Sequence, residues 1–487
     1  MSSTTKNIFY VILQQFILLF LPLLTIPYVS RILGPSGVGV ISYSTSIVML
    51  FINLALLGSE LYGVKETAKV KEDKKQLSHI FSEIFFIRLS LLLLATIIYF
   101  TLAYFYFDYK FIFYLQAINL FAYMIDINWF FQGIEQFKKI LYRNILIKTL
   151  GFISVFIFVK SKDDLYLYVI ILSLSILIGN GFMWLNLKSI VGSFKRVTTA
   201  KIKYHSISML SLFMAGFSIM IYILTDKIML GIFSSTTEVG LYEQGQKIIN
   251  VLVTIVTAFS AVMLPKAAQI IKNGKMNQVS ALINQSISII SFIVLPICTI
   301  FLLVSANFMP WFLGEGFEKS TIISQLLTPI IFIKAIGVML GSTYFIPMEK
   351  NKEYTLPLVV GAVINIILNL ILIPYYGAIG SAIATLFTEL MIFIVQLIFL
   401  GNIISYASLF KNGFLKYVCA NMVIVIIVML CKTIININSN FFNIVLYGVM
   451  SGLIYIIMMI VLKDKYIKSV LNMVLSKISS KQKGHNL

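Results

Sequence analysis

Charge is scarce in this chain. Only 12% of its 487 residues are Asp, Glu, Lys or Arg, and just 19 are acidic. A soluble domain of this length needs a charged shell, and a hydrophobic content of 59% with mean hydropathy +0.95 leaves little to build one. Cysteine is rarer still. Cys298, Cys419 and Cys431 each lie in or beside an apolar run, which excludes a disulfide framework. His79, His205 and His485 stand far apart in polar stretches, too dispersed for a metal site. Long polar gaps are missing as well. The longest stretches assigned to the outer side, 233–245 and 308–321, cannot house an extracytoplasmic active site. No nucleophile triad or phosphate loop is legible, so the chain reads as a non-enzyme without a resident cofactor.

What is present is a series of about fourteen apolar stretches of roughly twenty residues, the length a helix needs to cross a hydrocarbon core about 30 Å thick. They are expected at 8–30, 38–60, 82–107, 111–133, 144–160, 165–187, 206–232, 246–266, 283–307, 322–347, 355–375, 378–400, 414–432 and 443–462. The fold class is therefore an all-α polytopic membrane protein. The first stretch is too long for a signal-peptide core, lacks a small-residue cleavage site and reads as a spanning helix.

The net charge of +19 is distributed by side rather than by patch. Counted alternately along the loops, one side holds most of the basic residues, among them Lys65, Lys69, Lys71, Lys74 and Lys75, then Lys138, Lys139, Arg143 and Lys148, then the tail from Lys463. Positive loops mark the cytoplasmic face, so both termini are expected there. The basic excess then reflects topology and anionic lipid, and nucleic acid is not an expected partner.

Two halves are expected. Arg31-Ile32-Leu33-Gly34 followed by Val38-Gly39-Val40 has a counterpart in Asp226 to Gly231 followed by Val239-Gly240-Leu241. Trp129-Phe130 with Glu135 has one in Tyr344-Phe345 with Glu349, at offsets of about 200 and 214 residues. A duplication of six helices, parallel in orientation, predicts an N-lobe over 1–190, a basic linker over 191–205 and a C-lobe over 206–403. Two extra helices over 404–462 and a basic tail over 463–487 complete the chain.

Ionisable side chains inside apolar stretches are the candidate functional residues, because each costs about 2.5–3.5 kcal/mol at helix centre on an insertion scale. Lys334 and Glu389 sit near mid-helix, where they either pair or line a pathway. Arg88 and Asp126 lie roughly 10 Å from the cytoplasmic ends of their spans. Asp226 and Lys227 fall near the outer end of the seventh span, and Arg31 ends the first. Deep cations suit an anionic substrate group, whereas an exporter of cationic drugs calls for an acidic, aromatic cavity. Gln14, Asn365 and Asn369 add polar points that serve sugar hydroxyls or helix contacts equally.

The runs IPYVSRILGPSGVGVISYS, LLGSELYGVKETAKV and WFFQGIEQFKKILYRNILIKTL, with DKIMLG, VGLYEQGQKI, FLGEGFEKS and INIILNLILIPYYGAIGSAIATLFTE in the second half, resemble Wzx-type polysaccharide flippases of the multidrug/oligosaccharidyl-lipid/polysaccharide superfamily. The resemblance covers about residues 7–400. It implies translocation of undecaprenyl-pyrophosphate-linked oligosaccharide units from the cytoplasmic to the outer leaflet of a bacterial cytoplasmic membrane. It also implies two lobes around a cationic cavity, coupling to H+ or Na+, and polysaccharide polymerase and glycosyltransferases as partners. Arg88 and Lys334, helped by Arg31 and Lys227, are then the expected diphosphate grips, and Asp126, Asp226 and Glu389 the expected coupling carboxylates. A lipid II or teichoic-acid-type flippase, a drug antiporter and an intramembrane polymerase or ligase are the alternatives.

Overall fold

The computed structural model describes residues 3–192, 194–195, 197–401, 413–435 and 437–469; side chains of 3–20, 22, 211–212, 214–219, 221–222, 258–259 and 261–262 lie outside the description. Among the described residues the chain is helical and no strand occurs. The expected spans fall largely on helix, with a break at 125–127 inside the fourth. Eleven stretches are long and apolar enough to cross a membrane among the residues searched. The difference from fourteen has a local cause. The first two expected spans run together within α1 (Ser3–Leu56), and the seventh and eighth correspond to α8 (Thr199–Phe233) and α9 (Thr236–Lys272), which contain undescribed side chains.

The join within α1 is Gly34, whose φ of 67° and ψ of 178° interrupt the helix before Pro35. A side chain there is strained by the backbone itself, so glycine sets the change of direction. Then follow α2 (Ser59–Lys69), α3 (Lys74–Tyr106), α4 (Lys110–Met124), α5 (Asn128–Gly133), α6 (Phe137–Phe158) and α7 (Leu165–Leu185). Asp73 caps α3, its carboxylate accepting from the backbone N–H of Lys75 at 2.9 Å and of Gln76 at 3.1 Å.

Contacts group the chain into two compact units, residues 1–243 with 366–381 and residues 244–365 with 382–487. This grouping follows packing, whereas the expected lobes follow sequence symmetry. In the first unit α4 and α6 pack on α7, α1 packs on α3, α6 and α8, and α2 packs on α5. Its core includes Phe81, Trp129, Phe130 and Phe131, all fully buried. In the second unit α10 (Met276–Leu313) is the hub, contacting α11 (Glu318–Leu327), α12 (Pro329–Leu340), α15 (Phe414–Ile434) and α16 (Asn440–Val461). Tyr417, Ile424, Val428 and Met459 fill the seam that fixes the last two helices to α10. The remaining long helices are α13 (Asn351–Tyr376) and α14 (Ala378–Leu400).

Two of the paired motifs end in the same backbone cap. Glu135 and Glu349 both adopt left-handed φ, 60° and 57°, which is uncommon outside glycine. At each, the following N–H closes on a carbonyl five residues back, Gln136 to Phe131 and Lys350 to Phe345, both at 2.9 Å. The Glu135 and Glu349 N–H groups reach the carbonyls of Gln132 and Ile346, both at 3.0 Å. These are Schellman-type caps with Glu in the position glycine usually takes.

Candidate functional site

In the first unit the polar centre is built where a span breaks. α4 ends at Met124 and α5 begins at Asn128, leaving carbonyls without helix partners. Asn180 and Trp184, one turn apart on α7, supply the missing donors: Asn180 Nδ2 to Ala122 O and Trp184 Nε1 to Ile125 O, both 2.8 Å. Freed backbone groups at membrane depth persist only when re-satisfied in this way. Asp126 sits in the break, 7% exposed, and its Oδ1 accepts from the Asn128 amide at 2.5 Å.

Around it two guanidinium groups are arranged. Arg88 Nη2 lies 3.3 Å from Asp126 Oδ2, Nη1 donates to Ser59 Oγ at 3.2 Å, and the guanidinium carbon lies 5.9 Å from the Trp129 ring centre. Arg143 on α6 has amide partners instead. Its Nη2 donates to Asn128 Oδ1 at 2.9 Å, and Nη1 and Nη2 reach Asn180 Oδ1 at 3.3 and 3.2 Å. One carboxylate thus serves Arg88 directly and Arg143 through Asn128.

A second cluster joins α8, α9 and α13. Asp226, fully buried, accepts from Tyr242 Oη and Asn369 Nδ2, both at 2.6 Å. The neighbouring residues Lys227 and Glu243 form an ion pair. Asn369 is fully buried, as is Asn365 one turn earlier on α13. Glu238 anchors the α13–α14 turn by accepting from Ala378 N at 2.7 Å.

In the second unit Lys334 on α12 pairs with Glu389 on α14, Nζ to Oε1 2.7 Å. Glu389 is 5% exposed at its side chain and Lys334 24%. Arg31, three residues before the Gly34 kink, is exposed. Gln14 belongs to the stretch whose side chains lie outside the description. Of the expected grips, Arg88, Lys334 and Lys227 are therefore each matched by a carboxylate, and the structure brings Arg88 to Asp126, Lys334 to Glu389 and Asp226 to Asn369.

A third polar chain links α2, α3 and α8. Tyr62 Oη lies 2.7 Å from His205 Nδ1, and His205 Nε2 lies 2.7 Å from Glu83 Oε2. Burial and the nearby Glu66 push the Tyr62 hydroxyl up to about 12, so it keeps its proton.

Sequence reasoning missed Arg143 and Lys148 as deep residues by placing them in or beside a loop. α6 begins at Phe137, so Lys148 lies eleven residues in, about 16 Å along the axis. The signal was the unbroken run 137–158, which has no proline and whose first glycine is Gly151. Asn128 and Asn180 left no such trace, since a lone amide in an apolar run does not reveal its partner. Among the described residues no group of three or more His, Cys, Asp or Glu is placed to hold a metal ion.

Comparisons agree with this architecture. A protein of Escherichia coli (strain K12) named for O-antigen transport is 25% identical over 406 residues, 82% of this chain and 97% of that one. A protein of Shigella dysenteriae with the same kind of name is 22% identical over 399 residues, 80% of this chain and 98% of its own. Among solved structures, the lipid II flippase MurJ in an inward closed conformation matches with TM-score 0.73 at 15% identity, covering 94% of this chain and 99% of that one. An inward-facing multidrug resistance MATE family transporter of the MOP superfamily gives TM-score 0.58 at 13% identity over 77% and 96%. These structural likenesses are of fold alone. The profile of the polysaccharide biosynthesis protein family matches residues 4–271, more than half of the chain, and the protein belongs to that family.

Proposed function

We propose that the chain moves undecaprenyl-pyrophosphate-linked oligosaccharide units from the cytoplasmic to the outer leaflet, for surface polysaccharide synthesis, by alternating access and without covalent chemistry. The observation that carries the reading is family membership in a chain whose mass lies almost wholly in apolar helices. The name of the Escherichia coli relative, aligned over 97% of its length, supports it. The lobes proposed to rock are 1–190 and 206–403, with both termini cytoplasmic and the linker at 191–205.

The geometry changes how the cations act in this reading. Arg88, Lys334 and Lys227 reach a diphosphate only by exchanging a carboxylate partner, so each pair is a latch that the anionic headgroup opens. Arg31 assists near the Gly34 kink, and Gln14 and Asn365 line the route. Asp226 with Asn369 is the proposed coupling site for H+ or Na+, with Asp126 and Glu389 as further carboxylates in the cycle. Polymerase and glycosyltransferases are the proposed partners.

The test is the lipid-linked pool. Loss of the gene should cause a lipid-linked oligosaccharide to accumulate on the cytoplasmic leaflet while surface polysaccharide falls. Unchanged polysaccharide with a gain in sensitivity to cationic drugs would instead identify a drug antiporter.

A further inference from the structure

The first unit contains a cleft among α1, α6 and α7 with a volume of about 290 Å³. Its lining includes Thr25, Arg143, Asn144, Lys148, Tyr168 and Ser175, set among aliphatic and aromatic walls. The α6 side is a helical stripe, with 144, 148, 151 and 155 recurring at three- and four-residue steps. Gly151 lets α7 approach, since a Cβ there would lie 2.9 Å from Ser175 Oγ.

Two cations, Arg143 and Lys148, and no carboxylate are among its lining residues. Arg143 is 9% exposed, its guanidinium bonds only to amide oxygens, and its Nε has no partner. The route from Arg143 to a carboxylate runs through Asn128 to Asp126, which Arg88 already engages. Lys148 lines the cleft at mid-helix, is exposed, and makes no hydrogen bond or ion pair among the described residues. Two cations facing one apolar-walled space repel each other, and in low dielectric such charge calls for an anion.

From this we infer that the α1–α6–α7 cleft is a binding site for the phosphate oxygens of a lipid headgroup, with Lys148 as its direct cationic contact, Arg143 as a second positive charge in its wall, and Asn144 and Tyr168 as neutral contacts. The volume is near the lower end of the roughly 300–1,000 Å³ usual for small-molecule sites, which suits a headgroup and leaves any sugar chain outside. The apolar mouth suits a prenyl or acyl tail lying alongside. Naming the transported polyprenyl diphosphate as the source rests on the proposed function; the site as a lipid-phosphate site does not.

The experiment is equilibrium binding of geranylgeranyl diphosphate to the full-length protein in phosphatidylcholine nanodiscs, repeated with inorganic pyrophosphate as competitor and with phosphatidylglycerol added. The expected result is saturable binding that Lys148→Gln weakens by about tenfold or more, the scale of one lost charge-assisted contact, and that Lys148→Arg restores. Because Lys148 is exposed and makes no hydrogen bond or ion pair among the described residues, these variants should retain the wild-type elution profile and melting temperature. Competition by pyrophosphate with indifference to phosphatidylglycerol assigns the site to a diphosphate lipid. Displacement by phosphatidylglycerol assigns it to a resident phospholipid headgroup. Equal binding by wild type and Lys148→Gln, or no binding by either, overturns the site. The flippase reading stands or falls separately, on the lipid-linked pool after gene loss.

Discussion

Gly39 and Gly240 meet backbone to backbone. A Cβ on Gly39 would overlap the Thr236 carbonyl and lie 2.9 Å from Gly240 N, and a Cβ on Gly240 would overlap the Pro35 carbonyl. These are the glycines of the two repeated Val-Gly motifs, one after the Gly34 kink in α1 and one at the start of α9. A glycine thus stands on each side of one contact, and no rotamer change can relieve a clash with a carbonyl. Gly39→Ala and Gly240→Ala should each destabilise the protein by about 1–3 kcal/mol, the usual cost of overpacking. Thermal unfolding of the full-length protein in detergent measures this, and an unchanged midpoint for either variant would contradict the contact.

Removing one member of the Arg88–Asp126 pair should cost more than removing both. Their side chains are 2% and 9% exposed, so Asp126→Ala strands a buried guanidinium at about 3–5 kcal/mol. The double variant Arg88→Met with Asp126→Leu should regain part of that loss. If the double variant unfolds earlier than the worse single one, the pair contributes through something other than mutual neutralisation.

Lys334→Ala should abolish surface polysaccharide while the protein still inserts, since it leaves Glu389 unmatched in the α12–α14 seam. Adding Glu389→Gln separates two roles. A latch needs both charges, so the double variant stays inactive; a purely structural pair predicts recovered export. Surface polysaccharide staining alongside membrane abundance reads the outcome.

His205→Ala should loosen the tie among α2, α3 and α8. It leaves the Tyr62 hydroxyl and the buried Glu83 carboxylate without their shared partner, at about 1–3 kcal/mol for each unsatisfied group. The effect should show as faster hydrogen exchange at 59–69 and at the start of α8. Protection equal to wild type in both segments would show that the triad does not hold them.

Asp73 gives a pH dependence with a defined sign. Backbone N–H groups of Gln76 and Lys75 hold its carboxyl below the ordinary value of 3.8. A depressed value favours the ionised form in the fold, so its stabilisation is complete above 3.8 and fades as pH falls through the lower folded value. Asp73→Ala should therefore lower the melting temperature at pH 7, and the difference from wild type should shrink on acidification below 3.8. A gap that persists at the lowest pH would assign the cap no ionic component.

Much of the fold was legible because bilayer thickness imposes a length on each apolar run. Positions such as 82–107 and 165–187 needed no partner to be recognised. The likeness of the short motifs ending at Glu135 and Glu349 was legible, because a turn within a few residues uses the same local bonds at both. The candidate site was legible as a set of residues but not as an arrangement. Arg88 and Asp126 were recognisable as deep charges, yet their meeting across 38 residues depends on a break in a span whose composition stays apolar on both sides. Lys148 was misplaced because the basic stretch before it reads as loop until α6 is seen to begin at Phe137.

By itself the sequence determined that this chain spans a membrane many times, which runs do so, and that charges lie among them, because hydropathy is a property summed along a segment. Only the tertiary structure decided which cation meets which carboxylate and which is left facing a cleft. That choice depends on the rotation of each helix about its axis and on which helices become neighbours, and neither quantity is written in any one segment.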